Sequence, residues 1–259
     1  MHYSSSLEYL VESSYTSSYS NINYFSKNIV YNHGYAPNEP VMFNESYFRM
    51  TSTIKYKPKQ EYSSTYTTNH LFTPEIFLNA SRPNTRFVVG IDGVKSIVEE
   101  NFQLMMKEKL PGNISINILP FDEFKSLHSI FGVWNNGILG FSINNIKKEI
   151  FVRENHLDVL MIVIGHEIGH VMTPKLANKH DEEAKAFAFS IEWAKTIKEH
   201  DVANLGLSIK NGVDFEPARN GLHDVAFSFV DFMVKKGRKA IGLHNDLARN
   251  YISIFNIFY

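Results

Sequence analysis

Apolar residues in the middle of the chain recur at two spacings, and each spacing predicts a type of element. Recurrence every three or four residues is typical of a helix with one buried face, and strict alternation is typical of a half-buried strand. An asparagine pair between two such strands favours a tight turn. In chain order these patterns predict a helix over residues 94–110, a strand over NISINILP, a short helix over FDEFKSLHSIF, and a hairpin in which Asn144-Asn145 joins GILGFSI to IKKEIFV.

Two consecutive helices are predicted after the hairpin. Asn155, with Asp158 three positions later, favours the start of the first helix, and Thr173-Pro174 ends it. The second helix runs from about Lys179 to Glu199, with Asn178 as its N-cap. The C-terminal part is mostly helical. This order of elements predicts an α+β fold with a small mixed sheet on one side of the first of these helices.

The tyrosines divide the chain into two regions. Of the 13 tyrosines, 11 lie within the first 66 residues, which are also crowded with serine, threonine and asparagine. We therefore expect residues 1–80 to form a separate Tyr/Ser-rich region, either a pro-segment or a docking region, and residues 81–259 to form the main domain. The segment NASRPNTR at residues 79–86 is predicted to link them.

Charge and composition narrow the classes of function. The formal net charge is −1, so nothing indicates binding to nucleic acid or to an anionic membrane. The absence of cysteine excludes disulfides and cysteine-ligated zinc. The N-terminus lacks the pattern of a signal peptide, and the longest apolar run falls far short of the roughly 20 residues of a membrane-spanning helix. We expect an intracellular, cytoplasmic protein.

The most apolar stretch of the chain, VIGHEIGHVM at residues 163–172, carries three titratable side chains. At ~100° per residue, His166 and His170 lie about 40° apart on one helix face, so both imidazoles can reach one metal ion. Glu167 is offset by about 100°, close enough to hold a water on that ion without ligating it. The pattern His-Glu-x-x-His supplies two nitrogen ligands and a general base. The alternative is a pair of core histidines that are satisfied by other partners.

A catalytic zinc site takes a third protein ligand and leaves its fourth position to water. His180, Glu182 and Glu183 are the candidates for this third ligand. Glu183 shares its helix face with apolar residues, whereas Glu182 falls on the flank of that face, where the helix dipole explains a first-turn glutamate. A carboxylate in the middle of an apolar face needs a charged partner or a metal. This argument favours Glu183, with His180 and Glu182 as alternatives.

HEIGH, followed closely by EEAKAFAF, resembles the gluzincin-type zinc metallopeptidases and is most similar to ImmA/IrrE-like peptidases. The second motif of that group has the form E-A-x-x-F-A, which residues 183–188 match. The resemblance implies a zincin-like domain over residues 81–259. It also implies that His166, His170 and Glu183 bind one Zn²⁺ and that Glu167 is the general base. Lys185 departs from the family, which usually has Asn or Asp at that position.

From the motif and the resemblance we expect a zinc-dependent metalloendopeptidase that hydrolyses a protein or peptide substrate. The substrate would pair with an edge strand, either GILGFSI or IKKEIFV. No tyrosine lies between residues 67 and 250, so His223 is the candidate hydrogen-bond donor to the transition state.

Three other functions compete with this one. A catalytically inert zinc-binding module could serve regulation or protein interaction, with the Tyr/Ser-rich region as its surface. The retained Glu167 favours an enzyme over such a module, because pure binding needs no base. A nucleic-acid-binding regulator is disfavoured by the neutral charge, and a peptide deformylase by the absence of cysteine.

Overall fold

The computed structural model of the chain describes residues 72–213 and 222–255. Within these ranges, six α-helices and two small sheets give the α+β architecture that the sequence predicts. The predicted Tyr/Ser-rich region lies outside the described residues as far as residue 71, and its extent and role stay predictions. None of the described helices combines the length and apolar character needed to cross a bilayer.

The elements follow the predicted order, with small differences at their ends. The first helix ends at Met106, four residues before the predicted end, because Lys107 adopts a left-handed conformation with φ of 61°. The α-helices are α1 (Lys95–Met106), α2 (Phe121–Phe131), α3 (Leu157–Val171), α4 (Lys179–His200), α5 (Leu222–Lys235) and α6 (Ala240–Ala248). The strands are β1 (Phe87–Val88), β2 (Ile114–Leu119), β3 (Gly140–Asn144), β4 (Lys148–Arg153) and β5 (Asn155–His156).

The larger sheet is mixed and has the strand order β2-β4-β3. Strand β4 is parallel to β2 and antiparallel to β3, which confirms the predicted hairpin. Because β4 has a neighbour on each side, IKKEIFV cannot accept an added strand, and that half of the edge-strand prediction is wrong. Among the described strands of this sheet, β3 and β2 form the two edges.

Helix α3, which carries the His-Glu-x-x-His motif, begins differently from the prediction. Its N-cap is His156, because Asn155 belongs to β5 and its Oδ1 accepts a hydrogen bond from the His156 amide at 2.8 Å. The Asp158 carboxylate accepts hydrogen bonds from Arg82 Nε at 2.5 Å and from Thr85 Oγ1 at 2.6 Å. These contacts fasten the predicted linker segment to the first turn of α3.

The first described residues also pack into the domain. Phe77 and Leu78 are buried, and Leu78 forms an isolated antiparallel bridge with Ile209. The backbone amide of Asn79 donates a hydrogen bond to the Ser208 carbonyl at 2.8 Å. The core therefore includes residues that precede β1 in the chain.

Helix α3 lies in the centre of the core, between the larger sheet and α4. Fourteen of its 15 residues are buried. Gly165 permits the close approach of α4, because a Cβ at this position would lie 2.3 Å from Cδ1 of the fully buried Trp193. The Trp193 ring cannot move aside easily, since its Nε1 donates a hydrogen bond to the Met161 carbonyl at 2.8 Å.

The close contact at Gly165 predicts a strong effect of one added methyl group. Gly165→Ala should lower the free energy of unfolding by at least the ~1–3 kcal/mol that is typical of overpacked cores. Gly112→Ala is the matched control, because nothing lies within 4 Å of its Cβ position. Chemical denaturation of both variants would test this, and equal stabilities would contradict the packing described here.

A second prediction concerns His244, which is buried on α6 with Nδ1 3.1 Å from the Lys185 carbonyl. Burial lowers the pKa of His244 from 6.5 to about 4. The unfolded chain therefore takes up this proton at a higher pH than the folded chain, so stability falls as the pH drops from about 6.5 towards 4.

His244→Gln should remove this part of the acid destabilisation, which is on the order of 3 kcal/mol. Other buried histidines contribute equally to the parent and to the variant, so the difference isolates His244. The measurement is the free energy of unfolding by denaturant at several pH values between 4 and 7.5. Parallel curves for the two proteins would contradict the prediction.

Candidate metal centre

The two histidines of α3 point their Nε2 atoms at each other, 3.3 Å apart. Each Nδ1 is already engaged. His166 Nδ1 lies 3.2 Å from Ser190 Oγ, and that hydroxyl donates its proton to the Ala186 carbonyl at 2.8 Å, so it can only accept from the imidazole. His170 Nδ1 lies 2.9 Å from a carboxylate oxygen of Glu182, which also accepts. Both rings therefore carry a proton on Nδ1 and turn Nε2 towards the same point.

Glu183 on α4 brings a carboxylate oxygen to the same point. Its Oε2 lies 3.5 Å from His166 Nε2 and 3.6 Å from His170 Nε2. The ligand atoms of these three residues all lie within 4.8 Å of one another and could hold a metal ion. Oε2 is buried, yet no described residue gives it a hydrogen bond of good geometry. A buried carboxylate oxygen that faces two imidazole nitrogens without a hydrogen bond of good geometry fits a cation-binding site.

The pKa values of these three residues place one positive charge among them. Burial lowers the pKa of His166 to about 4, so this imidazole is neutral near pH 7. Burial also acts to lower the pKa of His170, but the charges of Glu183 and Glu182 outweigh it and raise this pKa to about 9. Burial would raise the pKa of Glu183, but the neighbouring histidines hold it well below its usual range. One positive charge thus belongs at this point.

Glu167 is buried beside the ligands and next to strand β3. Burial raises the pKa of its carboxyl, against the effects of His170 and of a hydrogen bond from Ser142 on β3. Gly140 lets the strand approach, because a Cβ there would lie 3.1 Å from Glu167 Oε1. Glu167 is not in the group of possible metal ligands.

His223 at the start of α5 also reaches the site. Its Nε2 lies 3.1 Å from Glu183 Oε2, while its buried Nδ1 has no hydrogen-bond partner among the described residues. The sequence offers His223 as a candidate hydrogen-bond donor to the transition state, but it gives no sign that this residue lies beside Glu183. Its position depends on how α5 packs against α4.

The other two candidates for third ligand occupy different places. The oxygens of Glu182 bind His170 Nδ1 and the Leu176 amide, at 2.9 Å and 2.7 Å. The His180 ring packs against the Phe255 ring at the C-terminal end of the described chain. Glu182 lies in the first turn of α4, as expected, and it is buried.

Several residues of the site do not appear in the sequence motifs. The Phe72 ring stacks on the His166 imidazole with centroids 4.0 Å apart, and Ser190 Oγ lies 3.2 Å from Nδ1 of the same imidazole. Ser190 is the one of these contacts with a sequence signal, because it is a hydroxyl on the apolar face of α4 that also carries Glu183. Phe72 gives no such signal, since it is 94 positions away from His166 along the chain.

Comparison of the chain with models of protein families, with curated proteins and with solved structures finds no match in any of the three. The geometry of the site is therefore the basis for its proposed function.

The geometry of the candidate metal centre predicts that each chain binds one metal ion. Chelator-treated protein should bind about one Zn²⁺ per chain, and Glu183→Ala should weaken binding by more than the roughly 10–100-fold that loss of an outer partner costs. Glu192→Ala on the same helix is the matched control, because Glu192 forms a solvent-side pair with Lys195. Titration against a chromogenic chelator measures both affinities. A parent that binds no ion, or a Glu183→Ala variant with parental affinity, would contradict the assignment.

Proposed function

We propose that this protein is a zinc-dependent metalloendopeptidase. The observation that carries the proposal is the convergence of two imidazole Nε2 atoms and one buried carboxylate oxygen, which has no hydrogen bond of good geometry from a described residue, next to the buried carboxylate of Glu167. Two His and one carboxylate are a ligand set of catalytic zinc sites, which keep a position open for water or substrate.

His166, His170 and Glu183 would hold the ion. When bound, zinc supplies Lewis-acid chemistry, since it polarises a peptide carbonyl and lowers the pKa of water to about 7. The residues fit this ion because their nitrogen and oxygen donors are those that zinc takes where cysteine is absent. His166 is neutral near pH 7, and His170 would release its Nε2 proton to solvent in order to hold the ion.

Glu167 would act as the general base and then as the general acid. Its carboxylate can take a proton from the attacking water and deliver it to the leaving amine. Burial raises its pKa towards the range in which one group can do both near neutral pH. The hydrogen bond from Ser142 orients the carboxylate relative to the sheet edge.

Strand β3 would present the substrate to these residues. Its outer edge has no partner among the described strands, so an extended peptide can add to it by backbone hydrogen bonds. Gly140 and Ser142 on this strand face Glu167. A peptide paired along β3 would therefore pass beside the general base. His223 Nε2 would donate a hydrogen bond to the carbonyl oxygen of the substrate as negative charge develops there.

The arrangement also supports the zincin-like fold that the sequence resemblance implies. A mixed sheet with β3 at its edge packs on the motif helix α3, and the next helix, α4, supplies the carboxylate ligand. The order of these elements is the one expected for such a domain.

One observation favours an inert zinc-binding module as the second candidate. His223 Nε2 lies 3.1 Å from Glu183 Oε2, close enough for a small movement to make it a fourth protein ligand. A site with four protein ligands is closed to water and is structural rather than catalytic. The two functions differ in whether Glu167 transfers protons.

Glu167→Gln separates them. This variant keeps the shape of the side chain but removes the base, and it should bind zinc and unfold like the parent. General-base contributions are typically ~10²–10⁴-fold, so cleavage of casein or of a peptide library should fall by at least that range. Glu199→Gln, an exposed substitution on α4, is the control and should retain full activity. A parent that binds zinc but cleaves nothing supports the inert module, and a fully active Glu167→Gln would refute the proposed mechanism.

A further inference from the structure

Lys185 is a fully buried cation three residues after Glu182 on helix α4. A buried ammonium group needs a partner for each of its three donors and a nearby negative charge. Nζ lies 2.9 Å from Glu182 Oε2 and 3.3 Å from each of the carbonyl oxygens of His170 and Pro174. Each of the three donors of Lys185 thus has an acceptor.

Glu182 is equally fully used. Its Oε1 accepts a hydrogen bond from His170 Nδ1 at 2.9 Å. Its Oε2 accepts from the Leu176 amide at 2.7 Å and from Lys185 Nζ at 2.9 Å. The carboxylate is therefore fixed from three directions, and it cannot turn towards the Nε2 side of His170 without breaking all of these bonds.

We propose that Glu182 and Lys185 act together as a positioning pair that fixes His170 as a metal ligand. Glu182 holds the His170 proton on Nδ1, which presents the Nε2 lone pair to the ion. Lys185 compensates the charge of Glu182 and keeps it in place. The pair rests on the metal centre of the proposed function, but it does not depend on peptide hydrolysis.

The pair also explains why the two neighbouring glutamates have different tasks. Glu183 Oε2 has no hydrogen bond of good geometry from a described residue and faces both Nε2 atoms, whereas each oxygen of Glu182 has a donor. A free Glu182 could compete with Glu183 for the ion. The cation of Lys185 removes that competition, which gives a reason for a lysine directly after the Glu-Ala of the second motif.

The C-terminal end of α3 is held from the sheet as well. Asn144 Nδ2 donates to the His170 carbonyl at 2.9 Å and to the Thr173 carbonyl at 2.7 Å. The backbone of His170 is thus bound by Asn144 from β3 and by Lys185 from α4. Glu182 adds the third constraint, at the imidazole ring, so both the position and the tautomer of this residue are set.

The test compares Glu182→Gln, Lys185→Met and the double variant, each in the full chain. The readouts are zinc affinity by chelator competition, the tautomer of His170 set by the nitrogen that binds zinc (measured by ¹⁵N NMR of the zinc-loaded protein), and thermal stability. Glu182→Gln should weaken zinc binding by roughly 10–100-fold, the usual effect of losing an outer partner. Lys185→Met leaves a buried carboxylate short of a donor and should lower stability as well as affinity.

The double variant separates positioning from a structural role. It contains neither buried charge, so its stability should return towards that of the parent, while its zinc affinity should stay low. The matched control is Glu192→Gln with Lys195→Met, a solvent-side pair with the same spacing on the same helix, whose atoms are 3.2 Å apart. This control should change neither readout.

Recovery of zinc affinity together with stability in the double variant would overturn the proposal, since the pair would then serve only to hold the fold. A parental His170 tautomer and affinity in Glu182→Gln would overturn it too. A parent that binds no zinc would overturn both the metal centre and this pair. A parent that binds zinc without cleaving peptides would refute the peptidase function and leave the pair intact.

Discussion

The contact between helices α3 and α4 must hold titratable side chains of opposite kinds in an apolar setting, where an ion without a partner costs several kcal/mol. His166, Glu167 and Glu182 are all buried there. Across the contact, His166 Nδ1 donates a hydrogen bond to Ser190 and His170 Nδ1 donates one to Glu182. One oxygen of Glu183 lies near the Nε2 atoms of both histidines without a hydrogen bond of good geometry. The buried titratable groups of the two helices therefore meet around this one carboxylate oxygen.

The close packing of α3 and α4 determines which side chains of α4 reach the histidines. Gly165 lets Trp193 lie against α3, and this approach puts Ser190 and Glu183, on the same face of α4, within reach of the histidines. The sheet on the other side of α3 brings Glu167 against Gly140 and Ser142. His166 and His170 therefore face α4, and Glu167 faces the edge strand β3.

Periodicity predicts much of the fold because it depends on local side-chain patterns. The α+β class, the hairpin and the capped start of α4 at Asn178 all follow from such patterns, and the structure confirms them. The start of α3 shows where prediction from local patterns fails. Asn155 has the right chemistry for an N-cap, but pairing with Val88 places it in a strand, and that pairing joins segments 67 positions apart.

The same distinction applies to the site. The spacing of His166, Glu167 and His170, and the helical face of Glu183, can be read from the sequence because each depends on one helix. The central place of β4 depends on its parallel pairing with β2, which no local pattern encodes. The burial of Glu182 depends on the loop between α3 and α4, since the Leu176 amide is one of its partners. Contacts between elements set these features.

Asn144 gives the molecule a mechanical property. It is the last residue of the edge strand β3, and its side chain holds two carbonyls at the C-terminal end of α3, one of them that of His170. Strand edge and helix end are joined by short hydrogen bonds without an intervening flexible segment. A displacement of the edge strand would therefore move the backbone of His170, a candidate metal ligand, because no flexible segment lies between them.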